Sequence, residues 1–382
     1  MQNAVVLGAG MVGSVMAVDM ARAGGFEVAV ADVNEAALEK AAARARQAGA
    51  ELRTINADLS DPASVRRVVE PADIVLGAGA SRLGFATLRA VIEAGRNYCD
   101  ISFMSEDALE LDSLAKEQGV TAVVDCGVAP GMSNLLAGYG RAKLDRCENI
   151  EIYVGGLPRE RRWPFEYKAG FSPADVIEEY TRPSRIVEHG KIVQREALSE
   201  PELMDFEGVG TLEAFNTDGL RSLAYTMDAP FMKEKTLRYP GHIELMRVLR
   251  AMGLFDHESI EVGGAHVRPI DVTSRLMFPM WTYEEGEEDL TVMRIIVEGE
   301  RAGEKRRFVW DLLDFYDRES RATSMARTTA FPCAIVARMI AAGEVSETGV
   351  LAPEKLGAMP GVTERVLEEL ERRGVRFSGP GA

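Results

Sequence analysis

Residues 5–14, VVLGAGMVGS, constrain this chain more than any other stretch. Gly8-Ala9-Gly10-Met11-Val12-Gly13 spells G-x-G-x-x-G between an apolar run and a helical pattern. Asp32 closes the next apolar run, 19 residues past Gly13. Each part has a physical purpose in a dinucleotide site. Gly8 permits a tight turn, Gly10 lets a pyrophosphate approach the backbone, and Gly13 lets a helix pack on a strand. The backbone N–H groups of this segment, from Ala9 through Met11 and Val12, open a helix whose positive end suits phosphate. A plain strand-to-helix turn is the competing reading. Asp32 favours NAD, because a carboxylate there accepts from both ribose hydroxyls and repels a 2′-phosphate. The VNEA that follows carries no cation to receive that phosphate. Asp58 and Leu59 are placed to edge the adenine, and they read equally as the cap region before Pro62. Gly77, Ala78 and Gly79 leave room for the nicotinamide half, or form a short turn.

The rest of the first third repeats the same grammar. Apolar runs NAVVLG, FEVAVAD, AELRTINADL, ADIVLGAG, NYCDIS and VTAVVDCG alternate with helical patterns, several closed by glycine at Gly49, Gly95 and Gly119. Strands alternating with helices predict a doubly wound parallel sheet of the Rossmann α/β class. From about Asn149 the pattern becomes α+β. RIVEHGKIVQRE reads as a hairpin turning at His189-Gly190, SIEVGGAHVRPI as a further strand, and residues 290–317 as a long antiparallel hairpin. A mixed or antiparallel sheet is expected there. After Ser324 two helical patterns return, each with one apolar face to cover. The expected division is residues 1–125 for the nucleotide, 126–323 for substrate and dimerisation, and 324–382 as helices returning to the first part.

Composition narrows the function classes. A formal charge of −16 disfavours nucleic acid as a partner, since phosphate neutralisation needs a basic face. No run approaches a membrane span, and the N-terminus lacks a basic leader, so no membrane partner is expected. Four sparse cysteines suit a reducing cytoplasm. No His/Cys/acid spacing suggests a metal site.

Ligands of open α/β sheets lie beyond the carboxyl ends of the strands. That rule gathers Asp100, Ser102, Asp125 and Cys126 around the nicotinamide. The simpler readings are a helix cap for Asp100, which Ser105 would serve better, and a small buried filler for Cys126.

DCGVAPGMSNLLAGY, GGLP, YKAGFSPADVIEEYTRPSRIVEHGK, LEAFNTDGLRSL, KTLRYPGHIELM and SMARTTAFPCAIVARMIAAGEV resemble the saccharopine dehydrogenase family. Within it, DCGVAPGMSN, FNTDGL and RYPGH look most like L-lysine 6-dehydrogenases. The resemblance implies a Rossmann domain carrying an inserted α/β substrate and dimerisation domain, hence a homodimer. It also implies NAD-linked redox chemistry at a carbon–nitrogen bond of an amino acid. For lysine, the ε-carbon gives up hydride and water releases ammonia. A free ε-ammonium titrates near about 10.4, so the site must first remove its proton. Asp125, Asp218, His242 and Glu244 are the candidates for that proton, and Glu244 also for substrate contact. Arg221, Arg238 and Lys168 are candidates to hold the substrate carboxylate. FNTDG and RYPGH also read as turns using Asn, Asp and Gly for backbone reasons. Two alternatives stay open. One is a reductase acting on an imine of an amine and an aldehyde, of the saccharopine or carboxynorspermidine type. The other is a nucleotide-binding sensor or scaffold without turnover.

Overall fold

The computed structural model describes residues 1–381 and divides them into two units. The first is built from Met1–Ala142 and Ala326–Arg376, the second from Lys143–Met325 and Phe377–Pro380.

In the first unit, strands and helices alternate: β1 (Gln2–Leu7), α1 (Met11–Arg22), β2 (Phe26–Asp32), α2 (Glu35–Gln47), β3 (Arg53–Asn56), α3 (Pro62–Val69), β4 (Ile74–Gly77), α4 (Gly84–Glu93), β5 (Asn97–Asp100), α5 (Asp112–Glu117), β6 (Thr121–Val123) and α6 (Met132–Ala142). The strands read as near-continuous apolar runs because both faces of a parallel sheet are covered. Asn34 and Asp61 cap α2 and α3 with side-chain oxygens, which starts those helices where the sequence leaves each strand.

The second unit continues with β7 (Arg146–Pro158), α7 (Pro173–Thr181), β8 (Ser184–Glu188), β9 (Lys191–Arg195), β10 (Glu202–Phe206), β11 (Gly210–Asn216), α8 (Leu223–Thr226), β12 (Phe231–Arg238) and α9 (His242–Ala251). It goes on through β13 (Ile260–Val262), β14 (Ala265–Val267), α10 (Pro269–Trp281), β15 (Asp289–Arg301) and β16 (Glu304–Phe315). The chain then runs through α11 (Ser324–Ala341), β17 (Gly349–Leu351), α12 (Pro353–Ala358), α13 (Val362–Arg372) and β18 (Phe377–Ser378).

The first sheet has the order β17-β6-β5-β4-β1-β2-β3, parallel throughout. Strand order reverses between β1 and β4, which makes the crevice beyond their carboxyl ends the switch point where such sheets hold ligands. β17 is a seventh strand that the sequence reading passed over, because three residues between helices carry almost no period. α6 stays with this unit, since Gly138 and Gly357 let it lie directly against α12: a Cβ on Gly138 would meet the Glu354 carbonyl oxygen at 2.1 Å. The returning helices are tied to α1 by Arg373, which donates to Asp19 at 2.7 and 3.1 Å.

The second sheet is mixed, in the order β10-β11-β12-β7-β15-β16-β18 with β8 and β9 joined to β12. Only β12 and β7 run parallel among these pairs. The β8–β9 hairpin turns at His189 and Gly190, both at positive φ, as a two-residue turn matched to strand twist requires. SIEVGGAHVRPI gives a separate two-stranded hairpin, β13–β14, not a strand of the main sheet. No helix among the described residues is long and apolar enough to cross a membrane.

Candidate functional site

The glycine-rich turn follows β1 as the sequence required. Gly8 has φ +112°, and a Cβ there would meet the Ala78 carbonyl oxygen at 2.4 Å. A Cβ on Gly13 would strike the Gly8 carbonyl at 2.1 Å, so these two glycines close the turn on itself. Gly10 differs, because the position its Cβ would take is open space. Gly10 also caps α1 without any side-chain hydrogen bond. The first turn of α1, with Met11 and Val12, therefore offers N–H groups and helix charge toward an open cradle, which fits a pyrophosphate.

Asp32 ends β2 with both carboxyl oxygens held by backbone N–H groups. Its Oδ2 accepts from the Ala9 N–H at 2.7 Å and its Oδ1 from the Asn34 N–H at 2.8 Å. These bonds lock the glycine turn to the end of β2. Asp58 is exposed and closes a local turn, accepting from the Ser60 N–H and hydroxyl at 2.9 and 2.7 Å. Those two bonds, hydroxyl first, hold its carboxyl below the ordinary value. The cap before Pro62 is Asp61, so the helix-cap reading of Asp58 gives way to a turn. Leu59 packs partly buried against the core of this unit. Asn56, Asp58, Asp61, Arg53 and Arg67 line an open cavity of about 610 Å³ at the β3 edge.

Gly77 ends β4, and its bare Cα makes room for two groups. A Cβ there would lie 2.0 Å from the Tyr98 hydroxyl and 2.4 Å from Asp100 Oδ1. Ala78 follows, its N–H bonded to the Leu7 carbonyl at 2.8 Å, and Gly79 is open on the surface. Tyr98 and Asp100 share a face of β5 at the two-residue period of a strand. Asp100 is wholly buried. Its Oδ1 accepts from the Ser102 N–H at 2.9 Å and hydroxyl at 2.7 Å, whereas Oδ2 and the Tyr98 hydroxyl meet no hydrogen bond of good geometry. Burial pushes the Asp100 carboxyl up to about 7. The Ser102 bonds oppose that rise and the neighbouring Asp125 charge adds to it. Asp100 does not cap the next helix, and neither does Ser105, because Asp107 takes that place.

Asp125 follows β6 with φ 52° and is 5% exposed. Cys126 donates its N–H to the Asp100 carbonyl at 2.7 Å, which fixes the two strand ends together. Its thiol is pushed well up by the Cys99 thiol and by burial, so it stays protonated and is no nucleophile. Tyr98 is the residue that sequence reasoning missed. Its signal was the i, i+2 spacing to Asp100.

The second unit places its expected residues differently. Arg238, 2% exposed, lies over the Tyr167 ring at 4.4 Å. It donates to the Tyr180 hydroxyl at 3.1 Å, the Glu179 carboxylate at 3.0 Å and the Leu237 carbonyl at 3.0 Å. His242 sits beyond Tyr180. The Phe165 carbonyl can only accept, so His242 Nδ1 donates to it at 2.9 Å and Nε2 accepts from the Tyr180 hydroxyl at 2.9 Å. Burial, and then the Arg238 charge, lower this imidazole to about 3. His242 is 2% exposed with both ring nitrogens engaged, so the structure packs it inside this unit. There it affects stability. The unfolded chain takes up a proton near 6.5 that the folded chain refuses. The stability contribution is therefore complete above about pH 6.5 and is lost as pH falls toward 3. Urea unfolding should show a loss of about 2 kcal/mol between pH 7 and pH 5 that His242→Gln removes. An unchanged slope in the variant would refute the assignment.

Asp218 is 8% exposed and held by Arg185 through two bonds of 2.8 Å, with the Arg185 N–H adding a third at 3.1 Å. Asn216, Thr217 and Gly219 of FNTDG are likewise held inside the unit. Asn216 donates to Ser199 and Glu200 at 3.1 Å, while Thr217 and Gly219 donate to Glu234 at 2.5 and 3.1 Å. The turn reading of this motif fits that arrangement, and the base expected at Asp218 is an ion-paired loop anchor. Arg221 is 8% exposed with φ 53° in the same loop. Glu244 lies on the exposed face of α9 near Arg247, at 3.6 Å, away from the buried network. Lys168 pairs with Glu287, donates to the Thr282 carbonyl at 3.1 Å and lines a cavity of about 510 Å³ with Arg159, Arg162 and Tyr283. No cluster of three or more His, Cys, Asp or Glu among the described residues could hold a metal ion.

Comparison with known proteins matches both units. Residues 4–123 match the saccharopine dehydrogenase NADP binding domain, and residues 127–375 match the saccharopine dehydrogenase C-terminal domain. A Schizosaccharomyces pombe protein named saccharopine dehydrogenase [NADP(+), L-glutamate-forming] is 21% identical, covering 85% of this chain and 88% of its own length. Carboxynorspermidine synthase of Vibrio cholerae is 23% identical over 81% of this chain and 79% of its own. The fold is that of apo saccharopine dehydrogenase (L-Glu forming) from Saccharomyces cerevisiae, with a TM-score of 0.80 at 19% identity, covering 99% of this chain and 100% of that one.

Proposed function

The chain belongs to the saccharopine dehydrogenase family of oxidoreductases, and from that premise we propose that it is an NAD-dependent amino acid dehydrogenase oxidising L-lysine at its ε-carbon. The products are 2-aminoadipate 6-semialdehyde, ammonia, NADH and a proton, with water supplying the aldehyde oxygen. The observation that carries this reading is the pair of buried carboxyls, Asp100 and Asp125, beside the switch point of a nucleotide-binding sheet.

Gly8 to Gly13 and Asp32 would hold the dinucleotide, whose nicotinamide supplies the hydride acceptor when bound. The chain's own task is the proton. An ordinary carboxylate near 3.8 faces an ε-ammonium near about 10.4, a gap of roughly 9 kcal/mol. Enclosing the substrate ammonium in a site shielded from water lowers its proton affinity and narrows that gap. Asp125 keeps some exposure and is assigned as the group that takes the ammonium proton and later activates water. Asp100, wholly enclosed and ionised above about pH 7, acts as a second negative charge beside Asp125.

The NAD preference rests on Asp32. Its two anchoring bonds fix the carboxyl group at the end of β2, the position from which an acid in such a fold bonds the adenosine ribose. Family and relatives carry NADP in their names, so the preference needs its own test. Asp32→Ala should lower kcat/KM with NAD by about 10- to 100-fold, from lost bonds to a charged group, while activity with NADP falls less or rises. An unchanged NAD/NADP ratio would remove the assignment.

The relatives' names favour a second reading, a reductase of an imine formed from an amine and an aldehyde. Nicotinamide absorbance and ammonia release, followed across amino acids, polyamines and amine–aldehyde pairs, separate the two. NADH and ammonia formed from lysine support the first; cofactor oxidation only with an amine plus an aldehyde supports the second.

A further inference from the structure

We propose that Tyr98 is the positioning residue of the carboxyl pair: its hydroxyl donates to Asp100 Oδ2 when Asp100 ionises and fixes that carboxylate at the end of β5. Its part in the reaction rests on the function proposed above; the bond itself rests on the geometry around β5.

Tyr98 and Asp100 stand two residues apart on β5, so their side chains leave the strand on one face. Both are wholly buried. Gly77 lies opposite Asp100 on the neighbouring strand β4. The place its Cβ would take is filled from two sides, since that atom would lie 2.0 Å from the Tyr98 hydroxyl and 2.4 Å from Asp100 Oδ1. One missing methyl group therefore brings phenol and carboxyl side by side. Ser102 satisfies Oδ1 with its N–H and its hydroxyl. Oδ2 and the Tyr98 hydroxyl are left, each buried and each without a hydrogen-bond partner.

The two groups are complementary. Tyr98 belongs to the apolar core of this unit, a place that a phenylalanine ring fills equally well. The hydroxyl adds a buried donor, which is destabilising unless it is bonded. An ionised carboxylate only accepts, and a phenol has one hydrogen to give. A small turn of the carboxyl plane aligns them, and the charge makes the bond stronger than one between neutral groups. When Asp100 takes up a proton, Oδ2 becomes the donor and the tyrosine oxygen accepts. The bond thus reverses as Asp100 titrates. Tyr98 keeps its own proton throughout, because burial and then the Asp100 charge push its hydroxyl well up.

The titratable groups around Asp100 come from three further places: Cys99 on β5, Asp125 and Cys126 after β6, and Cys333 on α11. Burial pushes up the thiols of Cys99 and Cys333, and the Cys99 thiol with burial does the same to Cys126, so all three stay neutral near pH 7. Burial first, and then the Asp125 charge, oppose ionisation of Asp100. Ser102 and Tyr98 supply the bonds that favour it.

Infrared difference spectra across pH, taken on the full chain without cofactor, test the bond. The carboxyl stretch of Asp100, identified by its loss in Asp100→Asn, should titrate near about 7 in the parent. Tyr98→Phe should raise that midpoint by at least about one pH unit, the weight of a hydrogen bond to a charged group. Should the phenylalanine variant misfold, fluorotyrosine incorporated in place of tyrosine keeps the shape and makes the hydroxyl a stronger donor, and the midpoint should fall. A midpoint that stays, or moves the other way, overturns the bond. With lysine as substrate, the rise in kcat/KM expected near pH 7 should move upward with the infrared midpoint in Tyr98→Phe. A shifted carboxyl band with an unshifted kinetic rise confines Tyr98 to the fold and overturns its part in the reaction. A parent that oxidises no lysine, but whose band shifts in Tyr98→Phe, refutes the proposed substrate and upholds the bond.

Discussion

Under the proposed function, Asp125→Asn should lower the turnover of lysine oxidation by 10²- to 10⁴-fold, the range for loss of a positioned acid–base group, with little change in affinity for the dinucleotide. The amide keeps the shape and polarity that the turn after β6 needs and removes only the proton site. Its neighbour gives the control that separates chemistry from folding. Asp100 is raised from 3.8 to about 7, so the folded chain binds its proton more tightly than the unfolded chain does. Stability is therefore fully present below about pH 4 and falls as pH rises through the window to 7. That rise corresponds to on the order of 4 kcal/mol of penalty at pH 8. Asp100→Asn removes that penalty. It should unfold at higher urea than the parent at pH 8 while losing the rise in kcat/KM expected of the parent near pH 7. A variant less stable than the parent at pH 8 would place Asp100 outside this scheme. A retained limb near pH 7 would assign that titration to another group.

The same pair shows what the sequence could and could not reveal. The sheet-end rule put Asp100 and Asp125 at neighbouring strand ends from the sequence, because parallel strands align their carboxyl ends whatever lies between them. The glycine turn, the β15–β16 hairpin and the His189-Gly190 turn were legible for the same reason: local backbone chemistry dictates each. The buried network around Arg238 was not. Tyr167, Glu179 and the Arg238–His242 motif come from separate segments of chain, and only packing brings them together. A motif such as RYPGH reports that Arg and His are needed but not whether they face a substrate or a core. The ion pair of Asp218 was illegible for a related reason, since its partner Arg185 lies 33 residues earlier, on β8.

Arg238→Ala separates those two meanings. The structure places Arg238 as the centre of a buried relay: it donates to Tyr180, which donates to His242, which donates to the Phe165 carbonyl. It also neutralises Glu179, which burial alone would push toward the protonated form. Removing the guanidinium strands that carboxylate and costs about 3–5 kcal/mol. The loss should appear as an earlier urea midpoint for the second unit, and Arg238→Lys should not restore it, because an ammonium lacks the planar fork that reaches Tyr180 and Glu179 together. The test lies in the double variant. Arg238→Met with Glu179→Gln removes both charges and leaves similar volumes, so most of the lost stability should return. A substrate anchor behaves in the opposite way: Arg238→Ala would raise the KM for lysine with the unfolding curve unmoved, and no change at Glu179 would repair it.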